Sequence, residues 1–177
     1  MDNRPTFYYY SANNSANNSN LIRAGGVIFY YQDSLTKNIK ILMQYTERNV
    51  DNIKRNLYED IGGKTDEVDT CINDTIIREV FEETNGIISK ELIKEYLDKN
   101  NHCLYLHSSK YYLVLIKVND NIKNIDRRSF GKIETSSNKK RQFFWIDANR
   151  LKTKGTPFNE RIWFLRKEIN DFFSTLI

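Results

Sequence analysis

The sequence predicts a single α/β domain in which strands and helices alternate in layers. Three observations carry that expectation. The chain has 177 residues, enough for one sizeable core. Short runs rich in aromatic and β-branched residues ("LIRAGGVIFYY", "IKILMQY", "YYLVLIKV", "QFFWI") recur along it. Segments of helical period lie between and after those runs.

In order, residues 1–20 include the polar near-repeat "SANNSANNSN", which has too little apolar surface to order itself and reads as a flexible leader. The domain proper is expected over residues 21–177. "LIRAGGVIFYY" reads as a strand whose Gly25 and Gly26 mark a bulge or the close approach of another backbone or a ligand. "IKILMQY" is the next strand, "TERNVDNIKRN" a polar, basic loop, and "LYEDI" a short extended segment before Gly62 and Gly63. Residues 70–84 place Ile72, Ile76 and Val80 on one helical face, with Asp69 or Thr70 as the cap. "KELIKEYL" is a second helix capped by Ser89. "CLYLH" and "YYLVLIKV" are strands, and the second, apolar on both faces, belongs inside a sheet. "QFFWI" is a further strand, "IDANRL" turns into a short helix, and the last segment is an amphipathic helix with Ile162, Leu165, Ile169, Phe172 and Phe173 inward.

Bulk composition excludes some classes of function. No apolar run is long enough for a membrane span, and no basic-then-apolar signal opens the chain, so the expected setting is intracellular and cytoplasmic. Cys71 and Cys103 make neither a disulfide framework nor a zinc site with His102 and His107, and read as buried thiols. The formal charge of +4 is a mild surplus that suits an anionic small molecule or RNA without selecting either.

The chemistry concentrates in "REVFEE". On a helix Glu79, Glu82 and Glu83 sit at i, i+3 and i+4, so three carboxylates share one face. Asn85 and Gly86 end the helix there, which puts those charges in the negative half of its dipole. Each like-charge pair costs a few tenths of a kcal/mol, and the dipole adds roughly 0.3–1 kcal/mol for each charge. A bound divalent cation reverses both penalties. A glutamate-rich exposed helix end explains the composition, but not the preceding Gly pair or the Arg.

Residues 62–86, "GGKTDEVDTCINDTIIREVFEETNG", resemble the Nudix box, and the flanking strands extend the likeness to about residues 21–177. Asp69 stands where that family has its first Glu, with eight residues before Arg78 instead of seven, and Asn85 replaces the final Gly. The resemblance implies an α/β/α sandwich with a mixed central sheet. It also implies Mg²⁺ or Mn²⁺ held by Glu79, Glu82, Glu83 and the Gly62 carbonyl, with Arg78 positioning a carboxylate. The implied reaction is attack of water on a phosphoanhydride in a nucleoside diphosphate derivative. Capped RNA is the main rival substrate, ADP-ribose and diphosphoinositol phosphates are further ones, and a catalytically silent binding module is the rival of another class. Glu134, in the polar loop before "QFFWI", is the candidate general base. Glu59 and Asp60 are expected to orient a ligand or cap the loop, and Lys139, Lys140 and Arg141 to grip phosphates or form a solvated edge.

Overall fold

In a computed structural model that describes residues 4–9, 20–99 and 101–176, alternation along the strands generates two separate apolar layers. The strands are β1 (Phe7–Tyr9), β2 (Asn20–Ile22), β3 (Ala24–Gln32), β4 (Ile39–Val50), β5 (Ile53–Glu59), β6 (Ile61–Lys64), β7 (His102–Leu106), β8 (Tyr111–Lys117) and β9 (Arg141–Asp147). The helices are α1 (Ile72–Glu83), α2 (Lys90–Leu97), α3 (Asp120–Lys123) and α4 (Glu160–Ser174). The central sheet runs β5-β4-β3-β8-β7, with β6 also pairing β3 and β9 also pairing β4. Only β3 and β8 are parallel, Ala24 facing Tyr111 through Tyr30 facing Lys117, so the sheet is mixed.

Val27, Phe29, Leu42, Val114 and Phe143 point to one face and meet Ile76 and Val80 of α1 and Ile93 and Tyr96 of α2. Ile28, Tyr30, Ile41, Met43, Leu113 and Leu115 point to the other and meet Ile162, Leu165, Ile169 and Phe173 of α4. The result is the expected α/β/α sandwich. Strand β8 lies inside the sheet, as its two-sided apolar pattern requires. Among the described residues no helix is long and apolar enough to cross a membrane.

Four expectations are corrected. The segment read as a basic loop is a hairpin: β4 runs on to Val50, and Asp51 and Asn52 turn it at φ 52° and 63° into β5. A two-residue turn with two positive φ angles matches the twist of its strands, and Asp and Asn tolerate that conformation best after Gly. Part of the expected leader is docked: Phe7–Tyr9 pair with Asn20–Ile22, and the Pro5 carbonyl accepts from Thr65 Oγ1 at 2.8 Å. The near-repeat itself, apart from Asn20, falls outside the described residues. The cap of α1 is Cys71, with no side-chain hydrogen bond, because Asp69 is engaged elsewhere. Cys71 is therefore exposed and Cys103 only half-buried, so neither is a fully buried thiol.

Candidate active site

Strand β6 brings Gly62 and Gly63 against Gly26 and Gly25 of β3. The four glycines let the strands and their neighbours approach closely. A Cβ on Gly63 would overlap the Glu79 carboxylate, and one on Gly26 would overlap the Tyr111 hydroxyl. Helix α1 lies across this seam, and its end is fixed by backbone chemistry. Asn85 takes φ 52° and donates to the Glu82 carbonyl at 3.0 Å, while Gly86 donates to the Phe81 carbonyl at 2.8 Å. That reciprocal pair closes a helix on a left-handed residue, a role for which Asn suffices. The Asn85 side chain does more. Its Nδ2 donates to the Phe130 and Ile133 carbonyls and its Oδ1 accepts from Thr135, tying the 131–141 loop to the helix end.

Glu83 is buried at 3 % exposure and accepts from Gly62 N–H at 2.8 Å, Gln44 Nε2 at 2.7 Å and Lys139 Nζ at 3.2 Å. Burial pushes its carboxyl up to about 7; Lys139 and the Gly62 N–H oppose the rise, and the charges of Glu79 and Glu134 add to it. Glu79 is also raised by burial, against Arg78, with Glu82 and Glu134 adding repulsion. Arg78 ties the site to its loop. It donates to Glu79 Oε1 at 2.8 Å, to both oxygens of Asp69 at 3.1 and 3.0 Å and to the Lys64 carbonyl at 2.9 Å. Burial pushes the Asp69 carboxyl up, but hydrogen bonds from Arg78, the Asp66 N–H and Thr75 outweigh it and hold it below its usual value. The shorter Asp side chain with one extra loop residue thus still reaches the arginine.

Gly62, Glu79, Glu83 and Glu134 line one open cleft of about 880 Å³. Glu134 is buried there at 6 % exposure, accepts from Ser136 Oγ at 2.7 Å and lies 3.7 Å from Arg141, so it is not a solvated loop acid. Glu82 is not brought into the cleft lining: it is partly exposed beside Arg78 at 3.5 Å. The β4–β5 and α4 part of the lining is largely cationic and aromatic, with Arg48, Arg55, Arg161, Phe158 and Trp163 beside the acids Glu59 and Glu160, and Lys139 reaches Glu83. Glu59 neither caps the loop nor faces Glu79; it holds Arg48 through two hydrogen bonds at 2.7 and 2.8 Å. Asp60 is fully buried between Arg161 Nη2 at 3.2 Å and the Tyr111 hydroxyl. Sequence reading missed Gln44 and Arg161. A polar residue inside the apolar run "ILMQY" was the available signal for the first, and nothing local marks the second.

Among the described residues no three acidic, His or Cys side chains form a metal cage by themselves. Mg²⁺ does not need one, since a few carboxylates and substrate phosphates normally hold it. Glu79 and Glu83 fit that requirement: both are oxygen donors, Glu79 is half-buried and Glu83 buried, and the charge of Glu79 raises the proton affinity of Glu83, a penalty a bound cation would relieve.

No family model matches the sequence, and no curated protein matches it. Among solved structures, a Caenorhabditis elegans Ap4A hydrolase binary complex matches with 18 % identity and TM-score 0.52, over 86 % of this chain and 99 % of that one. Shewanella oneidensis NrtR complexed with a 27mer DNA matches with 12 % identity and TM-score 0.45, over 86 % of this chain and 62 % of that one. The chain has a Nudix-like fold.

Proposed function

We propose that the protein is a divalent-metal-dependent hydrolase of phosphoanhydride bonds in nucleotides or nucleoside diphosphate derivatives. The observation that carries this reading is that Gly62, Gly63, Glu79, Glu83 and Glu134 line one cleft together with Arg48, Arg55 and Arg161. Carboxylates alone would repel a pyrophosphate, and arginines alone would only bind it. Arginines that would hold a phosphate chain and carboxylates that would hold a divalent cation together suit a phosphoanhydride substrate.

Glu79 and Glu83, with the Gly62 carbonyl, would hold Mg²⁺ or Mn²⁺, and Glu82 could join them by a rotamer change. The ion, when bound, supplies electrophilic polarisation of the phosphoryl oxygens and lowers the pKa of water. Arg78 orients Glu79 and anchors the loop through Asp69 and the Lys64 carbonyl. Arg55, which has no carboxylate partner among the described residues, and Lys139 bind phosphate oxygens. Glu134 takes the proton as a water oxygen bonds to one phosphorus and the bridging P–O bond breaks. The Ser136 hydroxyl and Arg141 fix the direction of that carboxylate.

Two carboxylates with a basic opposite wall would also serve a binding module. The test is hydrolysis of Ap4A, nucleoside triphosphates, nucleotide sugars, capped RNA and inositol pyrophosphates with Mg²⁺ or Mn²⁺. Metal-dependent release of a phosphorylated product that is lost in Glu83→Gln supports the enzyme. Binding of the same compounds without turnover of any overturns it.

A further inference from the structure

The 131–141 loop has two sides. Glu134, Ser137 and Lys139 face the carboxylate cleft, whereas Lys132, Ile133 and Lys140 face away from it. On that far side lie two cavities of about 410 and 450 Å³ that share Lys132 and Gln142 and so form one groove along β9. We propose that this groove binds a single-stranded nucleic acid, through its phosphates and by stacking, independently of the chemistry in the cleft.

Charge is the first ground. Arg127, Lys132 and Lys140 are exposed and have no carboxylate partner among the described residues. The acids that line the groove are already matched, Asp126 by Arg128 at 2.8 Å and Glu47 by Lys54 at 3.2 Å. The lining therefore keeps an uncompensated positive charge, which a polyanion neutralises with release of counterions.

The second ground is planar surface. The Arg127 guanidinium lies 5.9 Å from the Phe144 ring, and Tyr45 packs edge-on to the same ring at 6.2 Å. A half-buried aromatic floor under an exposed guanidinium offers stacking faces to bases of any sequence. An acidic peptide would use the cations but not these faces. The exposed Ile133, at 48 %, adds apolar contact at the rim of the same groove.

Placement is the third. Residues on β4 and β5 alternate between the two sides, Arg48 and Arg55 to the cleft and Glu47 and Asn56 to the groove. The groove and the cleft therefore open on opposite sides of the same hairpin, so occupation of one leaves the other free. This goes beyond the hydrolase reading and does not depend on it.

The test is fluorescence anisotropy of the full chain with a labelled fifteen-nucleotide oligouridylate, the matching oligothymidylate and heparin, without divalent ions. Three phosphate contacts give a salt slope of about −2, or roughly a twentyfold loss of affinity between 50 and 200 mM salt. Arg127→Glu/Lys132→Glu/Lys140→Glu should weaken oligonucleotide binding at least tenfold. The Gln versions, which keep the groove's packing, should do so several-fold. Glu83→Gln should bind as wild type does, and so should Lys152→Glu/Lys154→Glu/Lys167→Glu, an equal charge change elsewhere. Uridylate preferred over thymidylate identifies RNA, and equal binding identifies contacts common to both; either supports the site. No binding, heparin bound as tightly as the oligonucleotides, or equal weakening by the control triple overturns it. Failure here leaves hydrolysis in the cleft untouched, and loss of hydrolysis in Glu83→Gln leaves this binding untouched.

Discussion

The two walls of the cleft are built by opposite strategies. On the α1–β6 side the two cleft carboxylates are anchored: Glu83 by Gly62, Gln44 and Lys139, and Glu79 by Arg78, itself fixed by Asp69 and the Lys64 carbonyl. On the β4–β5 and α4 side Arg55 is exposed and unpaired among the described residues, and Trp163 is partly exposed with the Arg166 guanidinium over its ring at 3.4 Å. A rigid wall suits groups whose geometry sets a reaction barrier. A looser cationic wall suits substrates of varied shape. Arg48 and Arg161 on that side are themselves held by Glu59 and Asp60, so Arg55 and Trp163 are its loose members. Under the proposed function, the difference assigns chemistry to the anchored side and substrate choice to those loose residues.

That contrast orders the expected effects of mutation. Glu83→Gln should reduce turnover to background, because it removes a charged oxygen from the proposed metal site. Glu134→Gln should cost roughly 10²–10⁴-fold in kcat, the usual worth of a positioned base, and should alter the acidic limb of the pH–rate profile. A mutant within threefold of wild type, with an unshifted limb, would remove Glu134 from the mechanism. Arg55→Ala should raise KM by about tenfold and leave kcat within about threefold, the signature of binding that is equal in ground and transition states. A fall in kcat equal to the fall in kcat/KM would place Arg55 with the rigid wall instead.

Stability should separate two carboxylates within the anchored wall as well. The folded-state pKa of Glu83, about 7, lies above the usual carboxylate value, so protonation is favoured by folding. In metal-free protein this contribution is fully present below about pH 4.5. It is lost as pH rises towards 7, at ~1.4 kcal/mol per pKa unit. Asp69 has the opposite sign: its pKa is depressed, so its contribution is present at neutral pH and lost as pH falls through the folded value. Urea unfolding of Glu83→Gln should therefore show a flatter fall in stability between pH 4.5 and 7 than wild type. A parallel pH dependence in the two proteins would contradict the assignment to Glu83.

The rigid wall was legible in the sequence because its pattern is local. Arg78, Glu79 and Glu83 are fixed by helical spacing, and Gly62, Gly63, Asn85 and Gly86 announce a close seam and a helix end. The same spacing placed Glu82 with its neighbours, but the tilt of α1 leaves it outside the cleft lining. The loose wall was only half legible: Arg48 and Arg55 stand in a basic stretch that suits phosphates or solvent equally. Arg55 reached the cleft through a hairpin whose polar strands, solvated on both faces, carry no hydrophobic alternation, so only Asp51–Asn52 marked the turn. Docking of residues 4–9 was equally hidden, because it rests on the backbone carbonyl of Pro5 and on strand pairing, neither of which leaves a side-chain pattern. Arg161 and Gln44 joined the site through contacts across 101 and 39 residues of chain, which no local window contains.

The central claim is that Glu79 and Glu83 form a divalent-cation site poised over the Gly62–Gly63 strand. The most direct measurement is Mn²⁺ binding by calorimetry at pH 8, above the value of about 7 for Glu83, on wild type and on Glu79→Gln/Glu83→Gln, with circular dichroism confirming that both are folded. Saturable binding to wild type that weakens at least a hundredfold in the double variant is the expected result. Equal affinity in the two proteins, or no binding to wild type, would contradict it.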